Sequence, residues 1–141
     1  MAKFIKIKRG VKYQIKDLEI HFDDRGWLAE MLKRNEIEED IEQIYVATIK
    51  PGKIRGNHYH SKRTEWFFVV VGKAKISLED IKSKEKIDIK ISSKEPQVIT
   101  IFPGVAHAVK NIGREIVYLI SAQNNIYDPQ EPDTIPYIIK L

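Results

Sequence analysis

Short stretches in which apolar and polar residues alternate recur along this chain. Ala74, Ile76 and Leu78 alternate with Lys73, Lys75, Ser77 and Glu79, and Ile87, Ile89 and Ile91 alternate with Lys86, Asp88 and Lys90. A period of two puts the apolar set on one face, which marks a half-buried β-strand. The polar stretch 82–85 between them reads as a hairpin turn. Phe4, Ile5 and Ile7 suggest a first strand and residues 18–22 a second, and the turn 23–26 leads into WLAEMLKR, read as a third. Residues 44–49 are mostly β-branched or aromatic and end at Pro51-Gly52, while residues 66–71 form a continuous apolar run closed by Gly72. Stretches 98–102, 106–109 and 116–122 continue the pattern. The tail carries Pro129, Pro132 and Pro136, so it begins irregular, and residues 137–141 could end it as an edge strand. NEIEEDIE, residues 35–42, predicts one helical turn with Asn35 as N-cap and Glu38 reaching back. About ten short strands and no long helix predict an all-β fold, closed or sandwiched and antiparallel. The length of 141 residues suits one domain, 1–141, with a real core.

Composition narrows this little. At 43% hydrophobic and 31% charged, the chain is that of a soluble globular protein. With no cysteine, disulfides and thiolate chemistry are excluded. The start, MAKFIKIKRG, is basic with no continuous apolar segment behind it, which argues against a leader or a membrane span and for the cytoplasm. The net charge of +4 is spread along the chain without a nucleic-acid motif, so no DNA or RNA partner is expected. It serves solubility, or a local preference for anionic ligands.

The chemistry concentrates in residues 51–72, PGKIRGNHYHSKRTEWFFVVVG. His58 and His60 are two apart, so on a strand both imidazoles share a face. Glu65 lies at an odd offset from His60, but the polar stretch 61–64 looks like a turn that resets the parity. A fourth group, His107, follows in FPGVAHAVKN, and three of the chain's four histidines thus fall in two short segments. Three imidazoles and a carboxylate suit a borderline divalent ion such as Zn, Fe, Mn, Ni or Co.

The spacing Gly52, five residues, His58, one, His60, four, Glu65, six, Gly72 resembles the first cupin motif without a gap. Pro103-Gly104, two residues, His107, three, Asn111 resembles the second, with Phe102 where its proline usually stands. The resemblance implies a double-stranded β-helix, or jelly roll, with His58, His60, Glu65 and His107 as metal ligands inside the barrel. DDRGWLAE and RGNHYH resemble segments of the rhamnose-pathway sugar-nucleotide 3,5-epimerases. That resemblance implies Arg25 on a phosphate, Glu30 near the nucleotide, Arg55 and, two residues on, Asn57 on substrate, and His58 as the base. Tyr118 falls where that family carries its proton-donating tyrosine. His60 departs from it, since those metal-free enzymes usually have glutamine there, and a metal-bound nitrogen cannot act as a base.

PGKIRGNHYH, EWFFVVVG, NIG and YDPQEPDT resemble the C-terminal cupin domain of capsular-polysaccharide UDP-sugar reductase/epimerases, over about residues 24–134. In that family the domain binds zinc and epimerises C3 of a UDP-4-keto sugar. The expectation is therefore an epimerase or isomerase of a nucleotide-linked 4-keto-6-deoxy sugar, with zinc, a nucleotide-diphosphate sugar as ligand, and His58 or Glu65 as base with Tyr118 as acid. A metal-dependent cupin dioxygenase and a non-catalytic sugar-binding cupin are the alternatives. A homodimer is expected as well, because residues 3–8 look like a strand with no hairpin partner nearby.

Overall fold

The computed structural model describes residues 6–8 and 10–140. The strands are β1 (Lys6–Lys8), β2 (Val11–Asp17), β3 (Ile20–Asp23), β4 (Gly26–Ala29), β5 (Gln43–Ile49), β6 (Ile54–Tyr59), β7 (Glu65–Val71), β8 (Lys73–Asp80), β9 (Lys86–Ser92), β10 (Gln97–Ile101), β11 (Val105–Asn111), β12 (Val117–Gln123) and β13 (Ile135–Pro136). One sheet has the order β1-β2-β10-β7-β12-β5 and the other β13-β6-β11-β8-β9, with β3-β4 as a separate hairpin. All pairings are antiparallel. The fold is the all-β cupin jelly roll. No helix among the described residues is long and apolar enough to cross a membrane.

The main core lies between the two large sheets. Val11, Ile49, Phe67, Val69, Ile99, Ile101, Val117 and Leu119 come from one, and Ala74, Ile76, Leu78, Ile91, Val105 and Val109 from the other. β7 is buried on both faces, which explains its unbroken apolar run. Phe67 and Val69 enter the main core, while Trp66 and Phe68 pack outward under Met31, Leu32, Ile37 and Ile41 of the segment after β4. On the far side, the tail returns over the five-stranded sheet, where Ile139 packs on Ala106 and Ala108.

Several expected elements are corrected. Residues 11–17 form a full strand that the reading of residues 18–22 overlooked, although Val11, Tyr13 and Ile15 alternate with Lys12, Gln14 and Lys16. β1 pairs with it, so the N-terminal segment has a hairpin partner after all; Phe4, Ile5 and Leu141 lie outside the described residues. Of the third expected strand only residues 27–29 pair, as part of β4, because Met31 and Leu32 turn onto the outer face of β7. The expected helical turn is a 3-10 turn at Arg34–Glu36, with Asn35 inside it instead of capping it. In the tail, Ile135–Pro136 pairs with β6 in place of residues 137–140 of the expected edge strand.

The detail that positions the site is a bulge in β6. His107 is paired with His58, but Ala108 with Gly56, so Gly56 and Asn57 together oppose one residue. Both have positive φ, +97° at Gly56 and +59° at Asn57. The extra residue resets the alternation, and Arg55 and His58, three apart, face the same barrel interior. A Cβ on Gly56 would stand 2.6 Å from the His107 carbonyl oxygen and 3.1 Å from the Ala108 Cα. Gly56→Ala is therefore expected to cost about 3 kcal/mol of stability, from backbone strain and overpacking. Urea unfolding of the variant checks this; a midpoint equal to wild type refutes it.

Candidate functional site

The four residues singled out by spacing converge inside the barrel. Glu65 opens β7 in the six-stranded sheet, and His58 and His107 face one another across β6 and β11 of the other. His60 lies one residue beyond β6, where the chain crosses between sheets. One ligand atom from each lies within 4.8 Å of the others. The imidazole centroids are 4.7 Å apart for His58 and His107, 5.0 Å for His58 and His60, and 5.4 Å for His60 and His107.

The hydrogen bonds decide what this cluster can hold. His60 Nδ1 donates to the Asp133 carbonyl, which can only accept. In the neutral ring its Nε2 then turns a lone pair towards Glu65 Oε1, with which it is in contact, and in the imidazolium it donates to that oxygen. His107 Nδ1 faces the Val105 carbonyl at 3.4 Å, and its buried Nε2, 3.5 Å from Glu65 Oε1, has no hydrogen-bond partner. With both imidazoles neutral and protonated on Nδ1, acceptor atoms converge there with no donor between them, an arrangement that a proton or a cation relieves. Nitrogen and carboxylate donors of this kind fit a divalent transition ion. The other carboxylate oxygen, Oε2, is anchored by Ser121 Oγ at 2.9 Å and Gln123 Nε2 at 3.0 Å, with the Tyr45 hydroxyl at 3.4 Å.

The charges follow from this. Burial opposes ionisation of Glu65, yet its contacts with His107 and His60 outweigh burial and hold the carboxyl well below the usual range. Burial pushes His58 down to about 4, and repulsion from His107 and His60 adds to it, so His58 is neutral near pH 7. Burial, then the charge of Glu65, pushes Tyr45 up to about 12, so it keeps its proton.

A cavity of about 460 Å3 opens onto the cluster, lined by Tyr45, Thr48, Arg55, His58, Phe67, His107 and Leu119 among others. Arg55 Nε donates to the Thr48 carbonyl at 2.8 Å, which parks the guanidinium at the rim. Other expected site residues stand elsewhere. Asn57 faces away, its Oδ1 accepting from the Ile139 amide at 3.0 Å, because the bulge turns it outward. Tyr118 is half-exposed on the outer face of β12, since its neighbour Leu119 occupies the inner face. Arg25 is bound to Asp23 at the tip of the exposed β3–β4 hairpin, and Glu30 pairs with Lys33 at 3.3 Å; neither lines the cavity. Tyr45, Ser121, Gln123 and Asp133 were missed. Ser121 and Gln123 did leave a signal, a polar stripe alternating with Ile120 and Ala122.

Residues 21–135 match the family model described as the polysaccharide biosynthesis C-terminal domain. The chain belongs to that family. It is 31% identical over 118 residues to the UDP-2-acetamido-2,6-beta-L-arabino-hexul-4-ose reductase of Pseudomonas aeruginosa, a match covering 84% of this chain and 31% of the relative. It is 30% identical over 134 residues to the probable low-salt glycan biosynthesis epimerase of Haloferax volcanii, covering 88% of this chain and 86% of that protein. Among solved structures, the capsular polysaccharide assembling protein CapF of Staphylococcus aureus is 33% identical with a TM-score of 0.69, over 86% of this chain and 34% of that one. The dTDP-6-deoxy-D-glucose-3,5-epimerase RmlC of Legionella pneumophila, in complex with dTDP-4-keto-L-rhamnose, has a TM-score of 0.78 at 19% identity, over 92% of this chain and 75% of that one. The chain thus spans about a third of the reductase and of CapF.

Asp133 contributes to the pH dependence of this region. Hydrogen bonds from Ser61, Lys62 and Arg63 outweigh burial and lower its carboxyl from 3.8 to about 2. A carboxyl whose folded-state pKa is depressed contributes stability above its unfolded value and loses it as pH falls. The advantage of wild type over Asp133→Asn in unfolding free energy is expected to shrink by about 1 kcal/mol, discounted for solvent screening, as pH falls from about 4 to about 2. Urea titrations at a series of pH values measure it; a constant difference refutes the assignment.

Proposed function

We propose that the chain is an epimerase or isomerase of a nucleotide-linked 4-keto-6-deoxy sugar in polysaccharide or deoxysugar biosynthesis, related in chemistry to dTDP-4-dehydrorhamnose 3,5-epimerases. The observation that carries this is the cavity itself, with a neutral His58, a protonated Tyr45 and the rim Arg55 on one space. Membership of the polysaccharide family and the names of its relatives support the substrate class. A ketone acidifies the C–H beside it, so a base removes that proton and an acid returns one to the other face. His58 is the group a substrate reaches in the neutral form a base needs. Glu65 is the weaker candidate, because it is 1% exposed, its oxygens are engaged and its carboxyl is held ionised. Tyr45 takes the acid role expected of Tyr118, as the tyrosine hydroxyl on the cavity wall. Arg55 suits the diphosphate, since its guanidinium forms no ion pair among the described residues and stands at the mouth.

His58, His60, Glu65 and His107 are the residues that would hold a divalent ion, zinc first, with iron, manganese, nickel or cobalt also compatible. Bound there, it would supply Lewis-acid stabilisation of the developing enolate. A His58 nitrogen given to a metal is lost as a base, so ligand and base are exclusive roles for that atom. The test is deuterium uptake from heavy water beside the ketone of dTDP- and UDP-linked 4-keto-6-deoxy sugars, read by mass spectrometry. Wild type is expected to exchange. His60→Gln is expected to lose about 100-fold in metal affinity. Exchange lost with the metal makes His58 a ligand, and exchange retained makes it the base. No exchange by metal-loaded wild type on either substrate overturns the proposal.

A homodimer remains part of this reading, on different grounds from the N-terminal segment. β5 is an open edge of the six-stranded sheet and leaves Ile44 and Val46 about two-thirds exposed, at 63% and 64%. Such an edge is normally covered. Light scattering at micromolar concentration is expected to give twice the chain mass, and a monomer refutes it.

A further inference from the structure

The loop after β6 carries His60 and delivers the chain to Glu65, yet residues 61–64 belong to neither sheet. Their peptide groups are satisfied from the tail. Asp133 Oδ1 accepts from the Ser61 amide at 2.8 Å and the Ser61 hydroxyl at 2.5 Å. Its Oδ2 accepts from the Lys62 amide at 2.7 Å and the Arg63 amide at 3.0 Å. The backbone carbonyl of the same residue accepts the Nδ1 proton of His60. One residue thus grips the turn with its side chain and a histidine of the cluster with its main chain.

The tail that bears Asp133 is fixed to the same strand. Ile135 and Pro136 pair with Tyr59 and His58, and the Tyr137 amide donates to the Asn57 carbonyl at 2.8 Å. The Ile139 amide donates to Asn57 Oδ1 at 3.0 Å, and the Ile139 side chain is buried beside Ala106 and Ala108. Asn57 is outward because of the β6 bulge, so the feature that turns His58 into the barrel also anchors the strap behind it.

We propose that Asp133 is the positioning residue of the site. Its carbonyl selects the His60 tautomer with the proton on Nδ1, and its carboxylate fixes the turn so that His60 Nε2 and Glu65 meet. The proposal rests on the metal-binding reading of the cluster. An imidazole ligand whose far nitrogen donates to a fixed carbonyl is held in one tautomer and one orientation, and losing such a partner typically costs about 10–100-fold in metal affinity. Asp133→Ala removes all four side-chain acceptor contacts, so the main chain at residue 133 is no longer tied to the turn, while the strap stays paired with β6 from Ile135 on. Asp133→Asn keeps one acceptor oxygen but turns an amide NH2 towards backbone donors.

The experiment measures zinc affinity by chelator competition, together with the cobalt(II) visible spectrum and the 15N-detected tautomer of His60 in metal-free protein. Wild type is expected to show the Nδ1–H tautomer. Asp133→Ala is expected to lose that tautomer, to bind zinc about 10–100-fold more weakly and to give an altered cobalt spectrum. Asp133→Asn should fall between the two, and it carries the test if Asp133→Ala does not fold. Zinc affinity within threefold of wild type with an unchanged tautomer, in a folded variant, overturns the proposal. Wild type that binds no zinc, cobalt, manganese, nickel or iron overturns the metal reading alone. The positioning role is then decided by the tautomer: its loss in the variants supports the role, and its persistence overturns it.

Discussion

A carboxylate buried at 1% exposure inside a β-barrel is the constraint around which this molecule is arranged. Left uncompensated, such a charge costs several kcal/mol. Glu65 is compensated on both sides. Ser121 and Gln123, inward positions of β12, hold Oε2, and Gln43 of the edge strand donates to Gln123 Oε1 at 2.6 Å. The other oxygen faces His60 and His107. Each of these polar side chains takes an inward position that an apolar residue would otherwise fill. The barrel therefore has two unlike ends, one packed with Ile, Leu and Val and one built of hydrogen bonds around an anion. Fully satisfied networks of this sort specify a single arrangement, whereas a partly satisfied one is costly. His107 Nε2 is the one buried side-chain nitrogen that this network leaves without a hydrogen-bond partner among the described residues.

The strands themselves were largely legible, because β8, β9, β10, β11 and β12 show either alternation or short apolar runs bounded by turns. The four-residue cluster was legible for a related reason. His58 and His60 share strand parity, and the polar residues 61–64 announced the turn that brings Glu65 round. What sequence spacing did not convey was the β6 bulge. Arg55 and His58 differ by an odd number of positions, and a regular strand separates them. Only the paired positive φ values at Gly56 and Asn57 bring them to one face. The Gly-Asn dipeptide was the available signal, since these residues tolerate that region of backbone space most readily. The same bulge turns Asn57 away from the cavity, so one unrecognised extra residue accounts for Arg55 facing it and Asn57 facing away.

Tyr118 and Tyr45 show how a position in a motif differs from a position in the barrel. Tyr118 is flanked by Val117 and Leu119, both buried in the main core, and alternation forces it outward. Tyr45 sits opposite Ser121 in the β5–β12 ladder, and Ser121 is an inward ligand of Glu65. Residues directly opposite in a ladder project to the same side. The inward tyrosine could therefore be deduced once the register was known, but the register depends on which strands are neighbours. β5 and β12 are separated by more than sixty residues of intervening chain.

That placement gives β5 two functions that compete for one strand. Tyr45, Val46, Ala47 and Thr48 line the cavity, and Thr48 supplies the carbonyl that holds Arg55 at the rim. β5 is also the open edge of its sheet, with no strand on its other side among the described residues. An edge strand is secured from one side only and opens more readily than its central neighbours. Here that one side is β12, whose own far side is locked to β7 and so to Glu65. The cavity wall is thus joined to the barrel through β12, the strand whose inward Ser121 and Gln123 hold the carboxylate. The geometry of the cavity mouth is in this way tied to the charge at its floor through a continuous ladder of three strands.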